Sequence, residues 1–216
     1  MAQDVRLEIW SDPICPWCYI GKVLLDRALE TAPEHPFRIE WRPFQLNPDM
    51  PAGGMDRGAY LEAKFGGQQG AVDAYLPVAR AAEAAGLSLD LGAIARTPNT
   101  LEAHRLIHWA GLEGRQTPVV SALFRAYFRE GRDIGDTGVL IDIGAAAGMD
   151  ADLLARLFAS DADRAAVMES DTAARARGLR AVPTFIVGDT YAVPGAQPSE
   201  LWAEVIAELT GKAPPA

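Results

Sequence analysis

The sequence predicts an α/β fold in which a βαβ unit and a ββα unit are separated by a large all-helical insertion. Three observations predict it. Apolar and polar residues alternate near both ends of the chain, the period of a half-buried strand. Between about Asp56 and Arg177 the apolar residues recur at helical spacing, with no convincing strand. The only two cysteines, Cys15 and Cys18, stand three residues apart where the first strand gives way to the first helix. The expected division is 1–55 for the βαβ part, 56–177 for the insertion and 178–216 for the ββα part.

Val5, Leu7 and Ile9 alternate with Arg6 and Glu8 and form the first strand. Ser11-Asp12-Pro13 is a turn. Pro16 then sits at the first helical position, where its fixed φ is suited and its missing N–H is not needed. Ile20, Val23, Leu24 and Ala28 continue at helical spacing. Phe37, Ile39 and Trp41 alternate with Arg38, Glu40 and Arg42 as a second strand, which the intervening helix makes parallel to the first by a right-handed crossover. Asn47 to Gly54 reads as a loop. Within the insertion, Asn99-Thr100-Leu101-Glu102 reads as a capping box for a helix ending near Gly111. Thr117-Pro118 starts another, with Val120, Leu123, Phe124, Tyr127 and Phe128 on its apolar face. Asp136, Asp150 and Ser160 read as further N-caps. Thr184 to Val187, the turn at Gly188-Asp189 and Tyr191 to Val193 make a hairpin. A last helix starts at Pro198 and turns Leu201, Val205, Ile206 and Leu209 inward, with a frayed end from Lys212 onward.

Composition narrows the function classes. Hydrophobic residues are 49% and charged residues 23% of 216, which is ordinary for a globular chain large enough to bury a full core. Twenty Lys and Arg against 29 Asp and Glu give a net charge of −9, which argues against a nucleic-acid or anionic-membrane surface. No apolar run reaches the length of a membrane span. Met1 to Arg6 lack the basic and then apolar pattern of a secretory leader, so a cytoplasmic location is expected. There a structural disulfide is disfavoured, and the cysteine pair reads as a redox site or a metal site. No metal is expected. A closed zinc site needs four ligands, and His35, His104 and His108 show no spacing that completes one; His104 and His108 are an i,i+4 pair without a third ligand.

Cys15 falls at or just before the helix start, and Cys18 about one turn in. The unpaired N–H groups and partial positive charge there favour a thiolate. Cys15 is therefore expected as the exposed nucleophile and Cys18 as the resolving thiol of a disulfide exchange. Pro16 suits the turn between them. Trp17 projects near the nucleophile, either to shield it and pack on a bound peptide or simply to cover the helix surface.

Ser11-Asp12-Pro13-Ile14-Cys15-Pro16-Trp17-Cys18-Tyr19-Ile20-Gly21, with Trp41-Arg42-Pro43-Phe44-Gln45-Leu46-Asn47-Pro48, resembles the FrnE branch of DsbA-like thioredoxin-fold proteins. Pro98-Asn99-Thr100, Ala103-His104-Arg105, Val182-Pro183-Thr184-Phe185 and Val193 to Pro198 extend the resemblance over nearly the whole chain. It implies a thioredoxin-like fold split by a helical insertion, and thiol–disulfide oxidoreductase activity needing no cofactor beyond the redox-active dithiol. Disulfide-containing proteins or small thiols are the implied partners, with glutathione a candidate co-substrate. Pro183 resembles the cis-proline of thioredoxin folds, which lies beside the nucleophile and offers the main chain of the preceding residue, here Val182, to an extended substrate.

The same resemblance takes in kappa-class glutathione transferases and 2-hydroxychromene-2-carboxylate isomerases, which typically carry serine where this chain has Cys15 and lack a second cysteine. The intact pair favours the oxidoreductase. A glutathione-dependent isomerase or transferase is the alternative, and a non-catalytic, chaperone-like binding module is a third. Asn99 is a helix cap or a cleft residue. His104 is a packing residue, or it faces the cleft between insertion and core and tunes Cys15 by charge. Arg105 is a solvated residue or a partner for Glu102. The aromatic faces with Trp109, Phe124 and Phe128 leave a dimer open. In a reducing compartment the pair is kept reduced, so a reductase or isomerase direction is expected.

Overall fold

The computed structural model describes residues 4–211. The leader reading at Met1 to Gln3 and the frayed end from Lys212 lie outside the described residues. The N-terminal part is β1 (Val5–Ser11), α1 (Pro16–Thr31) and β2 (Phe37–Pro43). The middle holds β3 (Met55–Asp56), α2 (Arg57–Phe65), α3 (Gln68–Ala84), β4 (Arg96–Thr97), α4 (Leu101–Leu112), α5 (Gln116–Phe128), α6 (Thr137–Ala146), α7 (Ala151–Phe158) and α8 (Arg164–Ala176). The chain closes with β5 (Thr184–Val187), β6 (Tyr191–Pro194) and α9 (Ser199–Thr210).

Four strands form the main sheet in the order β2-β1-β5-β6. β1 runs parallel to β2 from Val5 opposite Phe37 to Ser11 opposite Pro43, and antiparallel to β5 from Leu7 opposite Val187 to Trp10 opposite Thr184. Leu7 and Ile9 are buried, as the alternation requires. The intervening positions carry a cross-strand charge ladder in which Arg6 and Arg42 each bridge Glu8 and Glu40. β1 extends two residues beyond the alternation because Trp10 and Ser11 still pair with β2.

The insertion is helical, with one correction. β3 and β4 pair antiparallel over two residues each, too short to leave a period in the sequence. Asp136 and Asp150 cap as expected, accepting bonds from Gly138 and Val139 and from Leu153. Ser160 does not cap: α8 starts after Asp163, and the Ser160 hydroxyl donates to the Leu157 carbonyl and accepts from the Ala162 N–H, closing the turn after α7. The capping box does not form either. Thr100 is the N-cap of α4, Asn99 Oδ1 accepts from Leu101 N at 2.9 Å, and Glu102 turns instead to Arg105 and Arg164.

The insertion and the sheet share one core. Tyr19 of α1 stacks on Phe124 of α5, with centroids 5.0 Å apart and planes 7° apart. Trp109, Phe124 and Phe128 are buried in this core, so they offer no face to a second copy. On α9 the core is reached by Trp202, Ile206 and Ala207, with Leu201 and Val205 half-buried; Leu209, in the last turn, is exposed. Trp202 takes the central place because its indole fills the space against Phe185 at 4.7 Å and Phe37 at 6.5 Å. Trp202→Ala should therefore lower unfolding free energy by about 3–5 kcal/mol, read from the denaturant midpoint; a loss below about 1 kcal/mol would contradict this packing.

Candidate active site

The end of β1 delivers Asp12, whose carbonyl accepts the Cys15 N–H at 2.9 Å. Its carboxyl is fully buried. Oδ1 accepts from Ile14 N at 3.2 Å, and Oδ2 accepts from Leu46 N at 2.6 Å and from the Thr100 hydroxyl at 3.4 Å. Asp12 thus ties together the exits of β1 and β2 and the start of α4. Cys15 is the N-cap of α1, with extended backbone (φ −87°, ψ 114°), and Pro16 opens the helix. Cys15 N-caps a 16-residue helix, a position where the macrodipole favours negative charge.

The opposing wall is the Val182–Pro183 bond, which is cis. Cys15 Sγ donates to the Val182 carbonyl at 3.6 Å. Gly21, one turn beyond Cys18, makes the approach of α1 feasible: a Cβ there would lie 3.2 Å from Pro183 Cγ and 3.3 Å from Ala196 Cα. The role of this glycine depends on a contact made 162 residues later.

Both cysteines are free thiols and both are buried. Cys15 is therefore not exposed on the surface as expected. Its side chain is reached through a pocket of about 250 Å³, lined among others by Pro16, Trp17, Arg57, Tyr127 and Val182. Trp17 stands at the rim, 37% exposed. Cys18 lies behind the first turn, where burial, reinforced by the neighbouring Cys15 sulfur, pushes its thiol up.

The other expected cleft residues lie elsewhere. Asn99 donates to the Met50 carbonyl at 2.7 Å and accepts from Gln45 Nε2 at 3.3 Å, so it fastens the 45–50 loop to α4 and does not line the pocket. His104 sits in the interior behind the site, its Nε2 4.0 Å from Asp12 Oδ1. Burial takes its pKa down to about 3, so it is uncharged at neutral pH and cannot tune Cys15 by charge. Arg105 is not solvated. It is fully buried, paired with Glu102 at 2.6 Å and donating to the carbonyls of Leu157, Ser160 and Ala162. Among the described residues no group of three or more His, Cys, Asp or Glu side chains is placed to hold a metal. Arg57, Tyr75 and Tyr127 do line the pocket, and no sequence motif singled them out.

Asp12 and His104 pull stability in opposite directions. Burial raises the Asp12 carboxyl to about 7, so the folded state keeps a proton that the unfolded chain releases above about 4; this contribution is lost as pH rises from about 4 to about 7. His104, lowered by burial to about 3, refuses a proton that the unfolded chain takes up below about 6.5; its contribution is lost as pH falls from about 6.5 to about 3. Denaturation midpoints should therefore rise with pH between 3 and 6.5 in Asp12→Asn. In His104→Gln they should fall with pH between 4 and 7, and slopes of the same sign in both variants would contradict this assignment.

Residues 6–207 match the family model of the DsbA-like thioredoxin domain. The protein YwbO of Bacillus subtilis, itself uncharacterized, is 26% identical over 209 residues, covering 94% of this chain and 96% of its own. The crystal structure of a probable DsbA oxidoreductase from Streptomyces coelicolor superposes with a TM-score of 0.83 at 30% identity, covering 98% of this chain and 92% of that one. The cytosolic disulfide reductase DsbM of Pseudomonas aeruginosa, solved with GSH, shares the fold with a TM-score of 0.69 at 20% identity, covering 94% of this chain and 98% of that one. Among the described residues no helix is long and apolar enough to cross a membrane. A cysteine pair at the head of α1, facing a cis-proline across a thioredoxin-like sheet split by helices, agrees with the match over nearly the full length: the chain belongs to the DsbA-like thioredoxin domain family.

Proposed function

We propose that this protein is a thiol–disulfide oxidoreductase that works through Cys15 as nucleophile and Cys18 as resolving thiol. The observation that carries the reading is the position of Cys15: it caps α1, opens to a pocket, and touches the carbonyl that precedes cis-Pro183, with Cys18 buried one turn behind. The Cys15 thiolate attacks one sulfur of a substrate disulfide, forming a mixed disulfide and releasing the other substrate sulfur as a thiolate. Cys18 then gives up its proton and attacks the Cys15 sulfur. The Cys15–Cys18 disulfide forms, the second substrate sulfur leaves, and the proton goes to it. The substrate gains two electrons and the dithiol loses two. A thiol pool such as glutathione resets the pair.

The raised Cys18 thiol suits this order of events, since it keeps the resolving group protonated until the mixed disulfide is in place. Val182 offers its main chain at the pocket wall, a position suited to pairing with an extended disulfide substrate, and Trp17 supplies an aromatic rim. Disulfide-bearing proteins or small thiols are the partners this site fits, with reduction or isomerisation as the direction and the cytoplasm as the setting. A glutathione-dependent isomerase would act through a bound thiol and would keep turning over without Cys15.

Insulin reduction tests the reading. Cys15→Ser should abolish turnover, and Cys18→Ser should accumulate mixed disulfides that are trapped on a non-reducing gel. Turnover surviving in Cys15→Ser would overturn it. The equilibrium potential against glutathione should fall nearer the ~−270 mV of thioredoxin than the ~−120 mV of DsbA; the latter value would defeat the reductase direction.

A further inference from the structure

Three cationic side chains of the described residues are buried: Lys22, Arg57 and Arg105. Lys22 is paired with Asp26 and Arg105 with Glu102. Arg57 is 6% exposed and has no carboxylate partner among the described residues. Its Nη1 donates to the Tyr127 hydroxyl at 3.1 Å and its Nη2 to the Tyr75 hydroxyl at 3.0 Å, with the guanidinium lying over both rings. Burial holds the Tyr127 hydroxyl well above the usual phenol range, so it stays neutral and supplies no counter-charge. The nearby carboxyl of Asp12 spends its oxygens on Ile14, Leu46 and Thr100. A guanidinium has five donors, and a buried cation without a counter-ion is costly unless a ligand provides one.

The surroundings repeat the pattern. The pocket that opens on Cys15 is lined by Arg57, Lys64 and Arg180, and by no Asp or Glu. Lys64 donates only to neutral acceptors, Tyr60 Oη and Asn47 Oδ1. An electropositive pocket in a chain of net charge −9 is a local arrangement and not a by-product of composition.

We infer that this pocket selects small disulfides that carry carboxylates, with Arg57 receiving one carboxylate while the disulfide meets Cys15. A pocket of about 250 Å³ is at the small end of ligand sites and takes one arm of such a disulfide, and the two tyrosine hydroxyls hold the guanidinium in place for a carboxylate. Lys64 and Arg180 lie at the same opening and draw the second negative group. The inference rests on the proposed role of Cys15 for its redox consequence, but not for binding.

Two measurements separate these. In single-turnover oxidation of the pre-reduced protein, glutathione disulfide (anionic) should react at least about tenfold faster than cystamine (cationic), and added salt should narrow the gap. Arg57→Gln should collapse the preference to within about threefold, while Arg57→Lys, which keeps the charge but loses the planar fork, should keep only part of it. In the Cys15→Ser protein, binding of S-methylglutathione measured by calorimetry should weaken about tenfold on Arg57→Gln. Should Arg57→Gln fail to fold, the exposed pair Lys64→Gln and Arg180→Gln should still lower the preference several-fold. Equal rates for the two disulfides in the wild type, or a preference and affinity indifferent to these substitutions, would overturn the inference. Loss of all disulfide reduction with S-methylglutathione binding still dependent on Arg57 would overturn the redox reading and uphold the anionic pocket.

Discussion

The antiparallel register of β1 against β5 is the constraint on which the site depends. Trp10 opposite Thr184 fixes where the two chains leave the sheet: one passes through Asp12 to Cys15, and the other arrives through Val182 and cis-Pro183. Because strand side chains alternate faces, a slip of one residue would turn Leu7 and Ile9 out of the core. Burial of those residues therefore also holds the Cys15 sulfur against the Val182 carbonyl. Gly21 completes the constraint from the helix side, since a Cβ there would press on Pro183 and Ala196 at 3.2 and 3.3 Å.

Around this junction the protein buries polar groups selectively. Asp12 binds three segments at once by accepting main-chain and hydroxyl hydrogen bonds, and His104 lies beyond it, neutral. Arg105 closes the α7–α8 connection with a carboxylate and three carbonyls. Asp12 and Arg105 find these partners within the fold and serve its architecture. Arg57 differs from them in having only neutral acceptors, and it lines the pocket that reaches Cys15.

Legibility in the sequence followed the range of each interaction. The strands, α1 and the caps at Asp136 and Asp150 depend on neighbours within a few residues, and they could be read. Ser160 looked like a cap by residue type, but its hydroxyl closes the turn after α7; Asn99 does accept from Leu101 N at the start of α4, while its amide reaches the distant Met50 carbonyl. β3 and β4 could not be read because two residues carry no period. Trp109, Phe124 and Phe128 gave an apolar stripe without saying what covers it; Tyr19 of α1 and the shared core do.

By itself the sequence determined the order βαβ, helices, ββα, the placing of a close cysteine pair at a helix start, and the proline that faces it, since each is a local pattern or a resemblance carried by contiguous residues. Only the tertiary structure decided that Cys15 is buried and reached through a pocket, that His104 is a neutral interior residue, and that Arg57, Tyr75 and Tyr127 line the pocket that reaches Cys15. The physical reason is common to all three. Burial, and the charge state that follows from it, are set by atoms brought together from α1, the insertion and the loop before β5, whose positions relative to one another are fixed only when the core has closed.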